Sequence, residues 1–345
     1  MLENMHKIKF AVVGCGSIGT RHLAVIDAEP RAEIVAICDI DQTKCEQLSE
    51  QYGGIRIFTD YGKLLAETSA DIINICTPHA LHAPMSIMAA QAHKHILVEK
   101  PMSLTTAEAH SMLEAAEKYG VDLMVVKQNR YNVPITLTKQ ALDNGRLGRV
   151  FMVQCNVLWN RHDEYYSKSE WRGRISEEGG ALYTQASHFI DLLIWWFGDV
   201  IKASCDIATM NHKIEIEDCG TSNLLFSSGV IGTFAWTTCV YNKNLEGSIT
   251  IIAENGTVKI GGQYLNRIEH WDVKSYPLPE NINFVDKPNI YSKYQGTSSN
   301  HEKVIADVVA KHLGETHTVV HGEEGIRTIE AIQMMYAQAR KEGNP

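Results

Sequence analysis

The tightest constraint on the fold lies in the first forty residues. Lys7 to Val13 alternates into an apolar run and meets Gly14-Cys15-Gly16-Ser17-Ile18-Gly19, and a helical segment follows through Ala28. In this strand, turn and helix each glycine has its own use. Gly14 permits the tight turn, Gly16 lets a pyrophosphate approach the backbone, and Gly19 lets the helix pack closely; Ser17 and Ile18 open the helix whose N-terminus faces the phosphates. A second strand, Glu33 to Cys38, ends at Asp39, twenty residues beyond Gly19, the spacing of the acid that accepts hydrogen bonds from an adenosine ribose. The pattern implies dinucleotide binding. Because that carboxylate repels a 2′-phosphate and no arginine follows it, NAD is expected in preference to NADP.

The alternation continues. Helix is expected at Gln42 to Tyr52, Tyr61 to Glu67, Leu81 to Gln91 and Glu108 to Lys118, with strands at Ile55 to Phe58, Asp71 to Cys76, His95 to Val98 and Asp122 to Lys127. Strands separated by helices imply a parallel doubly wound sheet, whose ligands sit at the carboxyl ends of the strands. Gly14, Asp39, Thr77-Pro78 and Lys100 all fall at such ends. Lys100 is followed by Pro101, which fixes φ and discourages helix in the residue before it, so the lysine is held at a strand end. There it can donate a hydrogen bond or a proton to a substrate oxygen, or simply occupy an ordinary surface turn.

A chain of 345 residues exceeds what one core usually fills, and two domains are expected, 1–127 and 128–345. The formal charge of -9 argues against a nucleic-acid partner, which requires clustered Lys and Arg. The N-terminus has no long apolar stretch, and the run Ile190 to Phe197 is short and broken by Asp191, so no membrane partner is expected and a cytoplasmic location is. The eight cysteines include no Cys-x-x-Cys pair and read as reduced, mostly buried small hydrophobes. His79 with His82, and His188 with Asp191, lack the further ligands that a metal site needs, so no metal is expected.

After Lys127 the pattern changes. Pro134 to Asn144 reads as helix, and Val150 to Leu158 as a long strand with Val153, Cys155 and Val157 on one face. Further strands are expected at Ile201 to Met210, Gly220 to Leu225, Val230 to Thr238, Leu245 to Ile252 and Thr257 to Ile260, then a loop from Lys274 to Gln295 and helices at Asn300 to Lys311 and Gly325 to Ala339. Turns such as Asn255-Gly256 between extended runs imply an open, mainly antiparallel sheet. The fold class is thus α/β plus α+β: an N-terminal Rossmann sheet and a C-terminal open-sheet domain whose outer face is a candidate oligomer surface.

The chemically dense stretch runs from Asn156 to Asp191. Phe189, Leu192, Leu193, Trp196 and Phe197 recur at helical spacing and form a core face, while His188 and Asp191 share another face of the same helix. An imidazole there can take a hydroxyl proton as hydride leaves carbon, and the nearby acid can orient the ring; a structural core histidine is the plainer alternative.

The glycine turn, Thr77-Pro78 with His82 four residues beyond, and Glu99-Lys100-Pro101 together resemble the Gfo/Idh/MocA family of sugar and polyol oxidoreductases. The resemblance runs along essentially the whole chain. It implies a cofactor site that includes Thr77, Pro78, His82 and Glu99, with Lys100 beside the reacting carbinol and the nicotinamide. Gly179-Gly180-Ala181-Leu182 leading to His188-Phe189-Ile190-Asp191 matches the family's catalytic-histidine helix. Many members carry an aspartate four residues before the histidine as a second catalytic acid; Thr184 stands there in this chain. The family's usual lysine, aspartate and histidine are thereby reduced to Lys100 and His188.

Trp159-Asn160-Arg161, Tyr165-Tyr166, Trp171-Arg172-Gly173, Thr184-Gln185-Ala186-Ser187-His188, Ile214 to Asp218 and Asn244 to Ser248 resemble, within that family, the UDP-N-acetylglucosaminuronate 3-dehydrogenases of surface-polysaccharide biosynthesis. Implied are NAD-dependent oxidation of the carbon-3 hydroxyl of a UDP-linked uronic acid and a homo-oligomer, tetramer or dimer, formed through the C-terminal sheet. A nucleotide-linked uronate is trianionic, and Arg130, Arg161 and Arg172 can offer bidentate contacts to it. Tyr165, Tyr166 and Trp171 can stack on the base or cover the sugar, and Gln185 and Ser187 flank them as candidate substrate contacts. Oxidation of another sugar or of an inositol-like polyol remains open, as does a non-catalytic NAD-dependent sugar-binding protein, prompted by Thr184. Whether Lys100 or His188 is the base also stays open.

Overall fold

In a computed structural model, residues 7–282, 284, 288–291 and 294–341 are described. The chain divides into two compact units: Met1–Lys127 with His301–Ile326, and Gln128–Asn300 with Arg327–Pro345. The helix His301–His312 thus clusters with the first unit although the chain reaches it only after the second.

The first unit is built on a sheet of β1 (Ile8–Val13), β2 (Ala32–Cys38), β3 (Arg56–Phe58), β4 (Ile72–Ile75), β5 (His95–Val98) and β6 (Leu123–Val125). Their order is β3-β2-β1-β4-β5-β6, and every pairing is parallel. This is the doubly wound order that the alternation implied. Phe10 to Val13 and Ile72 to Ile75 are buried throughout, because helices cover both faces of such a sheet and leave no polar side to alternate with. The order reverses between β1 and β4, which puts the Gly14 turn and the Thr77-Pro78 turn side by side at the crevice. A Cβ on Gly14, at φ +88°, would stand 2.7 Å from the Cys76 carbonyl oxygen, so only glycine fits.

The second unit carries β7 (Val150–Leu158), β8 (Val200–Ala208), β9 (Cys219–Phe226), β10 (Ile231–Thr237), β11 (Glu246–Ala253), β12 (Gly256–Gly261) and β13 (Arg267–Val273). A short hairpin pairs β14 (Pro288–Tyr291) with β15 (Tyr294–Ser298), and β16 (Ala339–Lys341) closes the edge of the large sheet. The order in that sheet is β13-β12-β11-β7-β10-β9-β8-β16; β10 runs parallel to β7 and β16 to β8, and the other pairings are antiparallel. Val153, Cys155 and Val157 are buried as their alternation predicted, while Met152 on the opposite face is 41% exposed. Such apolar side chains contribute about 1.5–3 kcal/mol each when fully buried.

One expectation changes here. The loop expected from Lys274 to Gln295 contains β14 and the start of β15, and its positions 283, 285–287, 292 and 293 lie outside the described residues. β13 lies between the expected strand Thr257 to Ile260 and that loop, where no element was expected; its exposed Glu269, His270 and Asp272 break the apolar alternation that would have marked it. Among the described residues, no helix is long and apolar enough to cross a membrane.

Candidate active site

In the first unit the expected cofactor residues occupy the carboxyl ends of the parallel strands. The helix Ser17–Asp27 begins without a side-chain cap, which leaves its first N–H groups to a ligand. A Cβ on Gly16 would meet nothing within 4 Å, so the backbone is open there. Asp39 lies at the end of β2, where its Oδ2 accepts from the Cys15 N–H at 2.6 Å and its Oδ1 from the Asp41 N–H at 2.9 Å. The acid expected at the ribose is thereby tied to the glycine turn itself.

His82 stands behind these turns, fully buried. Its Nε2 lies 2.9 Å from the Thr77 carbonyl oxygen and its Nδ1 2.6 Å from that of Pro101, so the ring clips the Thr77-Pro78 turn to the Lys100-Pro101 turn. Burial pushes its pKa down. Glu99 is also buried. Its Oε1 is 2.8 Å from His22 Nε2 and 3.6 Å from His301 Nε2, and its Oε2 accepts from the Lys100 N–H at 3.1 Å. Asn74 donates to His22 Nδ1 at 2.8 Å, which leaves His22 Nε2 to donate to the carboxylate. Burial opposes ionisation of Glu99, yet the hydrogen bonds from His22 and His301 hold its carboxyl well below the ordinary range. The structure therefore gives His82 and Glu99, both expected at the cofactor, the internal task of fixing the turn that carries Lys100.

In the second unit the helix Ser187–Phe197 presents His188 and Asp191. A π-helical turn, Leu182–Ala186, leads into it, a departure from regular spacing that occurs often at functional sites. His188 is 4% exposed, and the Gln128 amide lies 3.5 Å from its Nε2. With the amide as donor, Nε2 is the accepting nitrogen, as a general base requires. Asp191, the acid that spacing assigned to the imidazole, has a different principal partner. Arg130 donates from Nε to Oδ2 and from Nη2 to Oδ1, each at 2.9 Å, and its guanidinium lies over Trp195 at 4.9 Å. Arg130 was expected to meet substrate, and its fork is engaged on Asp191 instead.

Arg161 is the centre of a separate cluster. It is buried; Nη2 donates to Gln185 Oε1 at 2.6 Å and Nη1 to Asn244 Oδ1 at 3.3 Å. Gln185 passes the network on, donating to the Tyr165 hydroxyl at 2.9 Å. The Arg172 guanidinium lies 4.0 Å over the Tyr165 ring and 5.4 Å from Trp171. Tyr166 donates to Thr238 at 3.2 Å and is buried, a core position. Ser187 is buried beside His188. The structure thus brings Arg161, Tyr165, Trp171, Arg172 and Gln185 into one aromatic and cationic group.

His212 was not singled out by sequence reasoning. Its Nε2 faces the Arg161 carbonyl oxygen at 2.7 Å and its Nδ1 faces Asp218 at 3.0 Å; burial opposes the charge, but Asp218 and the carbonyl raise its pKa. Among the described residues, three histidine-containing groups lie at ligand spacing: His22, Glu99 and His301; His95, Asp122 and His312; His212, Asp218 and Cys239. The first and third are already knit by the internal hydrogen bonds just described.

Comparison with known proteins gives the same picture. Residues 8–127 match the oxidoreductase family with an NAD-binding Rossmann fold, and residues 135–259 match the GFO/IDH/MocA C-terminal domain. The WlbA dehydrogenase of Chromobacterium violaceum, solved with NADH and UDP-GlcNAcA, is 37% identical over 96% of this chain and 94% of its own, with a TM-score of 0.89. The WlbA dehydrogenase of Bordetella pertussis, in complex with the same two molecules, is 36% identical over 96% of both chains, with a TM-score of 0.87. A D-apiose dehydrogenase of Paraburkholderia graminis is 25% identical over 97% of this chain and 88% of its own. With a strand-end lysine after Glu99, an NAD-binding sheet and a histidine helix in the open-sheet unit, this chain belongs to the Gfo/Idh/MocA family of NAD-dependent sugar oxidoreductases.

Proposed function

We propose that the protein oxidises the carbon-3 hydroxyl of a UDP-linked N-acetylated glucuronic acid, forming the 3-keto sugar and NADH. The observation that carries this reading is the full-length likeness, at 36–37% identity, to two dehydrogenases that hold NADH and UDP-GlcNAcA. The Arg161, Tyr165, Arg172 and Gln185 group supports it, since a diphosphate and a carboxylate need fixed cations and a uridine needs an aromatic face.

Bound NAD supplies the hydride acceptor. His188 takes the hydroxyl proton at Nε2, and Lys100 donates a hydrogen bond to the same oxygen; the reverse assignment makes the lysine the base. Asp39 would hold the ribose of bound NAD, and Gly16, Ser17 and Ile18 would meet its pyrophosphate. Thr77 and Pro78 line the crevice. With Thr184 in place of a second acid, this mechanism uses a single base. The proposal includes a cytoplasmic homotetramer acting in lipopolysaccharide biosynthesis, with the outer sheet face as the interface. Ile231 and Met152, neighbours in register on that face, are 58% and 41% exposed.

Thermal-shift measurements with NAD and either UDP-GlcNAcA, UDP or inositol test the substrate. The largest stabilisation is expected from UDP-GlcNAcA, about 2.7 kcal/mol at a concentration a hundredfold above Kd. A response to inositol alone would favour the polyol reading, which the 26% identity to an inositol 2-dehydrogenase of Salmonella paratyphi B over 56% of the chain motivates.

A further inference from the structure

The π-helical turn Leu182–Ala186 carries Gln185 and runs directly into Ser187 and His188. A π turn is a poor helix on its own, so its entry needs support from outside the segment. Two residues distant in sequence supply it. The Leu182 N–H lies 3.2 Å from Glu217 Oε1 and 3.2 Å from the Tyr336 hydroxyl oxygen. Tyr336 donates its own hydroxyl proton to Glu217 Oε1 at 2.6 Å, and Trp236 donates to the same oxygen at 3.3 Å. One buried carboxylate oxygen therefore gathers three donors from three elements.

The entry is shaped to this pair. Gly180 has φ +142°, and a Cβ there would stand 2.0 Å from the Tyr336 hydroxyl oxygen and 3.0 Å from Glu217 Oε2. The ring of Tyr336 stacks on that of Tyr183 inside the π turn, with centroids 5.9 Å apart and planes 28° from parallel. Glu217 is 6% exposed, and the described groups that meet it are the Tyr336 hydroxyl, the Trp236 indole N–H and the Leu182 N–H, with the Cys205 thiol nearby. Its neighbours are the donors that fix the turn.

We infer that Glu217 and Tyr336 are positioning residues: they pin the start of the π turn and so set where Gln185 and His188 meet the sugar. The inference rests on the sugar-dehydrogenase reading for its kinetic consequence and on the hydrogen-bond geometry alone for its structural one. The test compares Tyr336→Phe, Glu217→Gln and Glu217→Ala with the wild type in NADH formation from UDP-GlcNAcA and NAD, in NADH affinity, and in amide hydrogen exchange of residues 180–188. Tyr336→Phe and Glu217→Ala are expected to lower kcat at least tenfold and to speed exchange of that segment at least tenfold, with NADH affinity unchanged. Glu217→Gln, which keeps an acceptor oxygen, is expected to stay within threefold of wild type in both.

Wild-type exchange across 180–188 in Tyr336→Phe and Glu217→Ala would overturn the inference, as would a Glu217→Gln variant as impaired as Glu217→Ala. If wild type fails to oxidise UDP-GlcNAcA, the functional reading falls, while faster exchange in Tyr336→Phe still upholds the pinning. Should Glu217→Ala not fold, Tyr336→Phe decides the matter alone.

Discussion

Arg130 holds Asp191 by two parallel hydrogen bonds, Nε to Oδ2 and Nη2 to Oδ1, both 2.9 Å long. The side chain of Asp191 is 3% exposed and that of Arg130 10%, so the pair is nearly dry. It ties the turn Gln128–Tyr131 to the helix that bears His188, and His188 in turn meets Gln128 from the same turn.

Arg130→Ala should therefore act first on stability. Removing Arg130 takes the bidentate ion pair from a buried carboxylate that keeps a 3.5 Å contact from Thr328, and breaking a buried pair costs about 3–5 kcal/mol. A chemical-denaturation midpoint measured for Arg130→Ala and Asp191→Asn checks this. A stability loss under about 1 kcal/mol in Arg130→Ala would mean that the pair is solvated, and a raised KM with full stability would return Arg130 to the substrate.

Asp39→Ala removes the proposed ribose acceptor together with its bond to the Cys15 N–H. NAD affinity should fall about tenfold or more, the loss of a charge-assisted hydrogen bond, and the preference for NAD over NADP should narrow. Fluorescence titration with NADH and NADPH reads both; an unchanged ratio would remove Asp39 from the ribose.

Burial pushes the Glu217 carboxyl up to about 7, against the opposing hydrogen bonds from Tyr336, Leu182 and Trp236. The folded protein thus binds a proton between roughly pH 4.5 and 7 that the unfolded chain has released, so this group's contribution falls as pH rises through that window. Between pH 5 and pH 8 Glu217→Gln should gain on wild type by up to about 3 kcal/mol, the free energy of a shift of that size. Parallel stability curves for the two proteins from pH 5 to 8 would contradict the assignment.

The fold was legible where its signals are local. The glycine turn, Asp39 and the strand-end Lys100 are fixed by spacings of a few to twenty residues within one strand, turn and helix pattern, and the parallel order followed from them. For His82 and Glu99 the contacts that fix the turns were not legible. Which way a side chain points at a strand end depends on His22, Asn74 and His301, and the last arrives two hundred residues later. The Arg130 partner of Asp191 was hidden for the same reason: three-residue spacing makes Asp191 a neighbour of His188, but it cannot reveal a guanidinium from another element. Tyr336 and Glu217 stand 119 residues apart, and no periodicity relates them. Gln128 and His212 carry no motif; the one cue for Gln128 was its place just past the apolar strand Leu123–Val125.

The central claim is that Lys100 and His188 act together on one hydroxyl of a UDP-linked uronate. Single-turnover NADH formation at 340 nm, with UDP-GlcNAcA and NAD, measures that step directly. Wild type should form NADH in a burst stoichiometric with sites, while Lys100→Ala and His188→Ala each lose about a hundredfold or more in rate, the usual worth of acid–base assistance, and still bind both ligands. Wild-type rates in both variants, or no absorbance change in wild type, would contradict the account.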